Sequence, residues 1–96
     1  MQVIRTHRYS VEPGDLEELL RRRTTLITAI RGAHPGLAST QLVRLQDGTY
    51  QDTWFWADTE TMEAALAAIK DFPEAPAAMS LTRDNAVQNG EVVAVD

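Results

Sequence analysis

Along residues 2–9 the side chains alternate, with Val3, Arg5, His7 and Tyr9 on one side and Ile4, Thr6 and Arg8 on the other, the two-residue period of a β-strand. Glu12-Pro13-Gly14-Asp15 then breaks the extended run. Beyond it Leu16, Leu19, Leu20, Arg23, Leu26, Ile27 and Ile30 recur at helical spacing, and Glu17 and Glu18 occupy the first turn, at the positive end of the helix dipole. This helix ends near Gly32, because Pro35 cannot continue it and biases His34 toward extended geometry.

Residues 37–46 and 49–57 flank Asp47-Gly48, a pair that suits a two-residue type I′ hairpin turn. In that register Ser39 opposes Trp56, Gln41 opposes Trp54 and Val43 opposes Asp52 on one face, while Thr40 with Phe55 and Leu42 with Thr53 line the other. Asp58 is a suitable N-cap for a second helix whose apolar stripe is Met62, Ala65, Leu66 and Ile69, reaching about Phe72. Residues 76–87 carry a weak helical stripe. Asn89-Gly90 marks a turn, and the valine-rich residues 91–95 suit a closing strand.

The resulting order, βαββαβ, is the ferredoxin-like α+β arrangement: a four-stranded antiparallel sheet with both long helices on one face. Both sheet faces carry apolar groups, so the face away from the helices needs a cover. A second copy of the same face supplies one, which predicts an isologous homodimer through the sheets. A chain of 96 residues holds a single domain, residues 1–96.

Composition narrows the chemistry. The chain has 9 Lys and Arg against 14 Asp and Glu, a net charge of −5, which argues against nucleic acid or an anionic membrane surface as partner. There is no cysteine, which excludes disulfides, thiol nucleophiles and iron–sulfur clusters. The polar start of the chain lacks the apolar core of a signal peptide, and no apolar run is long enough to span a bilayer, so a cytoplasmic location is expected.

Pro35-Gly36-Leu37 opening the second strand, the Asp47-Gly48 hairpin, and Trp56 followed by an Asp-capped helix beginning Thr59-Glu60 occur together in this chain. From Val3 to Val95 it resembles the antibiotic biosynthesis monooxygenase family of the dimeric α+β barrel superfamily. That resemblance implies a pocket between sheet and helices, a dimer formed through the sheets, and oxidation of phenolic or polyketide-like substrates without metal or flavin. Other relatives degrade haem, isomerise small metabolites or have no known activity. The haem-degrading pattern pairs a strand-one Asn with a strand-three Trp and a His ten residues beyond it. Here His7 stands near the Asn position, Trp56 matches the Trp, and Leu66 occupies the His position. Iron would lack its axial donor, so no cofactor is expected.

Trp54 and Trp56, two apart on a strand, form an apolar wall suited to a flat aromatic ligand, or they fill the core. His7 is one of only two side chains titrating near neutrality and is either the natural general base for removing a proton from an activated phenol or anthrone, or a strand histidine that is merely exposed or hydrogen-bonded. Arg23 interrupts the apolar stripe of the first helix and must find a partner: a substrate oxyanion, Asp52, or solvent at the edge of the stripe. Tyr9, at the end of its strand, is either a donor to a substrate carbonyl or a packing side chain. The two histidines show no metal-ligand spacing, and no serine sits in a nucleophile elbow. The expected activity is a small cofactor-independent monooxygenase acting on a small hydrophobic or aromatic molecule. A non-catalytic ligand-binding or regulatory dimer, and an isomerase or cyclase using the same pocket, are the alternatives.

Overall fold

The computed structural model describes residues 1–96. Strand β1 (Val3–Ser10) leads through a 3-10 turn to helix α1 (Leu16–Ala33). The chain continues through β2 (Leu37–Arg44), β3 (Tyr50–Trp56), α2 (Thr59–Ala67), α3 (Glu74–Met79) and β4 (Arg83–Glu91). The sheet order is β2-β3-β1-β4, with every neighbouring pair antiparallel. This is the expected ferredoxin-like α+β fold, with β1 and β3 in the middle.

The alternation of β1 puts Val3 and Tyr9 into the core. The stripe of α1 contributes Leu19, Leu26, Ile27 and Ile30, and α2 adds Met62 and Ala65. Trp56, Ile30 and Leu37 are the largest fully buried side chains, each worth about 1.5–3 kcal/mol of apolar burial. Asp58 caps α2 by accepting from the Thr61 N–H at 2.7 Å, satisfying one of the orphan donors at the helix start. Arg22 of α1 pairs with Glu18 and donates to the Ala77 carbonyl at 2.7 Å, which ties α3 to α1.

The hairpin differs from the predicted type I′ turn. The Gly48 N–H donates to Leu45 O at 3.0 Å and the Leu45 N–H to Thr49 O at 2.8 Å, enclosing a three-residue loop in which Gly48 alone has positive φ, +87°. A type I′ turn would force Asp47 into the left-handed region as well. Asp47 instead accepts from the Thr49 N–H and hydroxyl at 2.9 and 2.6 Å. The extra loop residue shifts the register by one, so Thr40 opposes Trp54, Leu42 opposes Asp52, and Gln41 opposes Thr53. Ser39 and Val43 therefore do not share the tryptophan face. An irregularity between Leu37 and Ser39 sets Leu37 opposite Trp56.

The closing strand is also displaced: β4 spans Arg83–Glu91 rather than 91–95, Asn89-Gly90 lies inside it, and the third helix covers only Glu74–Met79. The strand is almost wholly exposed, so no buried pattern marks it. It exists because β1 offers a free edge, to which its backbone pairs from Val3↔Glu91 to Ser10↔Arg83, a long-range cause that strand propensity does not encode.

Gly36 is a tight point in the frame. Its carbonyl accepts from the Ala57 N–H at 2.8 Å, and a Cβ added there would collide with the Thr61 Cγ2 methyl. Gly36→Ala is expected to cost about 1–3 kcal/mol through overpacking, and Thr61→Ser, which removes that methyl, should recover most of it. Urea unfolding of the two variants is the check; a Gly36→Ala chain as stable as the parent would refute the contact.

Candidate functional site

Between the sheet and the helices lies a cavity of about 360 Å³, within the range of small-molecule sites. Its floor is the helix-facing side of β1 and β3: Arg5, His7 and Tyr9 from one, Asp52, Trp54 and Trp56 from the other. The roof comes from Leu19, Arg23, Leu26 and Ile30 of α1, with Leu66 of α2 and Ala75 and Ala78 of α3. Met79, Thr82, Asn85 and Val87, from α3 through β4, complete the lining, and Met79 and Val87 are exposed. The polar groups are thus few and lie on an otherwise apolar surface.

Asp52 is the hub of the polar floor. Arg23 donates to it through Nε at 3.0 Å and Nη2 at 2.9 Å. The Tyr9 hydroxyl donates to Oδ2 at 2.8 Å and the Trp54 indole N–H to Oδ1 at 2.9 Å. Four donors satisfy one carboxylate that is only 6% exposed, the condition under which a buried charge is tolerable. The Tyr9 hydroxyl is consequently committed to Asp52 rather than offered to a substrate carbonyl. Burial, and next the charge of Asp52, push its pKa well above the usual tyrosine range, so it stays a protonated donor. Arg23 retains only Nη1 for a ligand. Its stripe-breaking position follows from this pairing.

His7 shares the floor but makes no side-chain hydrogen bond. Burial, and then the neighbouring Arg5 charge, lower its pKa from 6.5, with Asp52 pulling weakly the other way. The imidazole is neutral at neutral pH and free to accept a proton. Trp54 and Trp56 lie with ring centroids 6.3 Å apart and planes inclined by 38°, so their wall is creased rather than flat. Trp56 is 2% exposed, and its indole N–H has no partner within the chain, an unusual state for a buried donor.

All six residues singled out from the sequence, His7, Tyr9, Arg23, Asp52, Trp54 and Trp56, thus line one cavity. Arg5 joins them in the lining, on the face where the alternation of β1 sets it. Met79, Thr82, Asn85 and Val87 were missed because the sequence pattern misplaces α3 and β4. No group of three or more His, Asp or Glu side chains gathers as a metal site, and no helix is long and apolar enough to cross a membrane.

No protein-family model matches the sequence, and neither does any curated protein. Solved structures do match the fold. SnoaB, a cofactor-independent oxygenase from Streptomyces nogalater, in a variant form, is 22% identical with a TM-score of 0.73, over 98% of this chain and 95% of that one. A Caulobacter crescentus protein assigned to the antibiotic biosynthesis monooxygenases is 18% identical with a TM-score of 0.76, over 97% and 91%. A NIPSNAP family protein from Agrobacterium tumefaciens is 13% identical with a TM-score of 0.68, over 96% and 86%. The chain therefore has the fold of the antibiotic biosynthesis monooxygenases, a fold that proteins of another family also adopt.

Proposed function

We propose that this chain is a cofactor-independent monooxygenase of the antibiotic biosynthesis type, acting on a small aromatic molecule such as an anthrone or naphthol. The observation that carries this reading is the unpartnered, neutral His7 imidazole in an apolar cavity walled by Trp54 and Trp56. The likeness in fold to a cofactor-independent oxygenase supports it.

In this mechanism the tryptophans hold the ring system and His7 takes a proton from the activated C–H of the substrate. The resulting carbanion is electron-rich enough to give one electron to O₂, and the radical pair combines at carbon as a peroxide. Return of the proton from His7 and loss of water leave a carbonyl, so one oxygen atom enters the product and the other leaves as water. Arg23, through its free Nη1, steadies the enolate oxygen as charge develops. Asp52 fixes Arg23, Tyr9 and Trp54 in place and takes no proton itself.

Two copies pair through the sheet face that no helix covers. Ile4, Val43 and Phe55 supply its apolar groups, and Thr6 and Thr53 share a hydrogen bond across β1 and β3 at 3.2 Å. Sedimentation at micromolar concentration should give twice the chain mass; a well-folded monomer there would remove the dimer.

Oxygen uptake tests the activity. With an anthrone as substrate, one O₂ should disappear per molecule oxidised, without added metal or flavin. An absence of uptake across an anthrone and naphthol panel that binds the cavity would favour a ligand-binding or regulatory dimer. The engagement of Arg23, Tyr9 and Trp54 by Asp52 is the observation that favours this second reading. Turnover without oxygen would point to an isomerase or cyclase.

A further inference from the structure

Arg5 stands apart from the other charges of the cavity. Arg23 is neutralised by a two-point contact with Asp52, whereas the one side-chain partner of Arg5 is the neutral amide oxygen of Asn89, accepting from Nη1 at 3.0 Å. Two arginines against one carboxylate, with His7 neutral, leave this cavity with a surplus positive charge, although the chain as a whole carries −5. Arg5 is partly buried as a residue while its bond to Asn89 lies on the exposed side, and burial lowers its pKa without bringing an arginine near neutrality. An incompletely paired, partly desolvated guanidinium on an apolar surface matches a carboxylate better than any neutral group.

We propose that Arg5 is a specificity-determining residue that anchors a carboxylate on the aromatic ligand, making the preferred ligand an aromatic acid. The proposal rests on the view that the cavity takes flat aromatic molecules. Arg5 and His7 are two apart on one strand, so their Cα atoms are roughly 7 Å apart on the same face. The acid group and the proton His7 removes would therefore lie at separate positions on one ring system, with the carboxylate toward β4, where Asn89 sits beside Arg5. Held there, the anion would complete the guanidinium and leave the reacting carbon over the imidazole.

Equilibrium binding tests this through quenching of tryptophan fluorescence, with 2-naphthoate and its neutral isostere 2-naphthamide as probes, at low salt and above neutral pH. The intact chain should bind the naphthoate about tenfold more tightly than the amide, the usual scale of one charge-assisted pair. Arg5→Gln should abolish that preference by weakening naphthoate binding alone. Arg5→Met, which keeps the apolar stem, should do the same and carries the test if the glutamine variant does not fold. Equal affinities in the intact chain, absence of naphthoate binding at millimolar concentration, or a preference that survives in the folded Arg5 variants would each overturn the assignment. The readout is separate from turnover: selectivity that depends on Arg5 in a chain that consumes no oxygen supports the anchor while removing the oxygenase, and oxygen consumption without selectivity does the reverse.

Discussion

Asp52→Ala is expected to destabilise the fold by about 3–5 kcal/mol, the scale for removing one partner of a buried ion pair. The carboxylate accepts from Arg23, Tyr9 and Trp54 together. Its loss strands a guanidinium whose side chain is only 14% exposed, along with a buried hydroxyl and an indole N–H. For a domain of this size each kcal/mol lowers Tm by roughly 4–8 °C, so the effect should be visible in a simple melt at fixed protein concentration. Asp52→Asn keeps two acceptor lone pairs but not the charge, and should fall between the parent and the alanine variant. The decisive comparison is the double variant Arg23→Met with Asp52→Leu. Replacing both charges by apolar groups removes the stranded cation, so the pair should be more stable than Asp52→Ala alone. A double variant that loses the sum of the two single losses would show that the network is not the unit described above.

His7→Ala is expected to lower oxygen consumption by about 10²- to 10⁴-fold, the usual contribution of a positioned general base. Stability should barely change, because the imidazole makes no side-chain hydrogen bond that the fold would lose. The pH profile gives an independent check. A base works in its deprotonated form, and burial and Arg5 lower the His7 pKa from 6.5. Activity should therefore be level through neutrality and fall only as acid protonates the ring at its lowered pKa, below 6.5. In Arg5→Met the positive neighbour is gone, so the acid limb should move upward. Unchanged turnover in His7→Ala, or an acid limb above 6.5 in the parent, would remove His7 from the chemistry.

The parts of the fold that the sequence discloses are those whose cause is local. The alternation of β1 and the stripe of α1 are set by which side chains must reach the core, and both elements appear where their periods place them. Asp58 announces α2 because a cap depends on a side chain and a backbone N–H three residues away. Strand β4 has no such local cause: Asp84, Asn85, Asn89 and Gly90 disfavour a strand, and only the free edge of β1 holds them extended. Asp84 even adopts a φ of +56°. The candidate site divides along the same line. Its floor follows from the alternation of two strands, and the break in the α1 stripe at Arg23 marks a side chain that needs a partner, among whose candidates the structure selects Asp52 over a place in solvent. That Asp52 would also take the Tyr9 hydroxyl, and so withdraw it from substrate, depends on three elements meeting and has no local signature. The lining from α3 and β4 has no local signal, for the same reason that those elements have none.

The three-residue loop at Gln46, Asp47 and Gly48 governs more than a turn. Side-chain direction in a strand depends on whether a position is odd or even, so one residue removed from this loop would reverse the parity of β2 against β3. Leu42 would then point outward and Val43 would stand over the carboxylate network. The irregularity before Ser39 is a second parity change, and it returns Leu37 to the interior. Insertions and deletions in this hairpin should therefore be tolerated in twos, or singly only when that second irregularity is lost or moved to compensate.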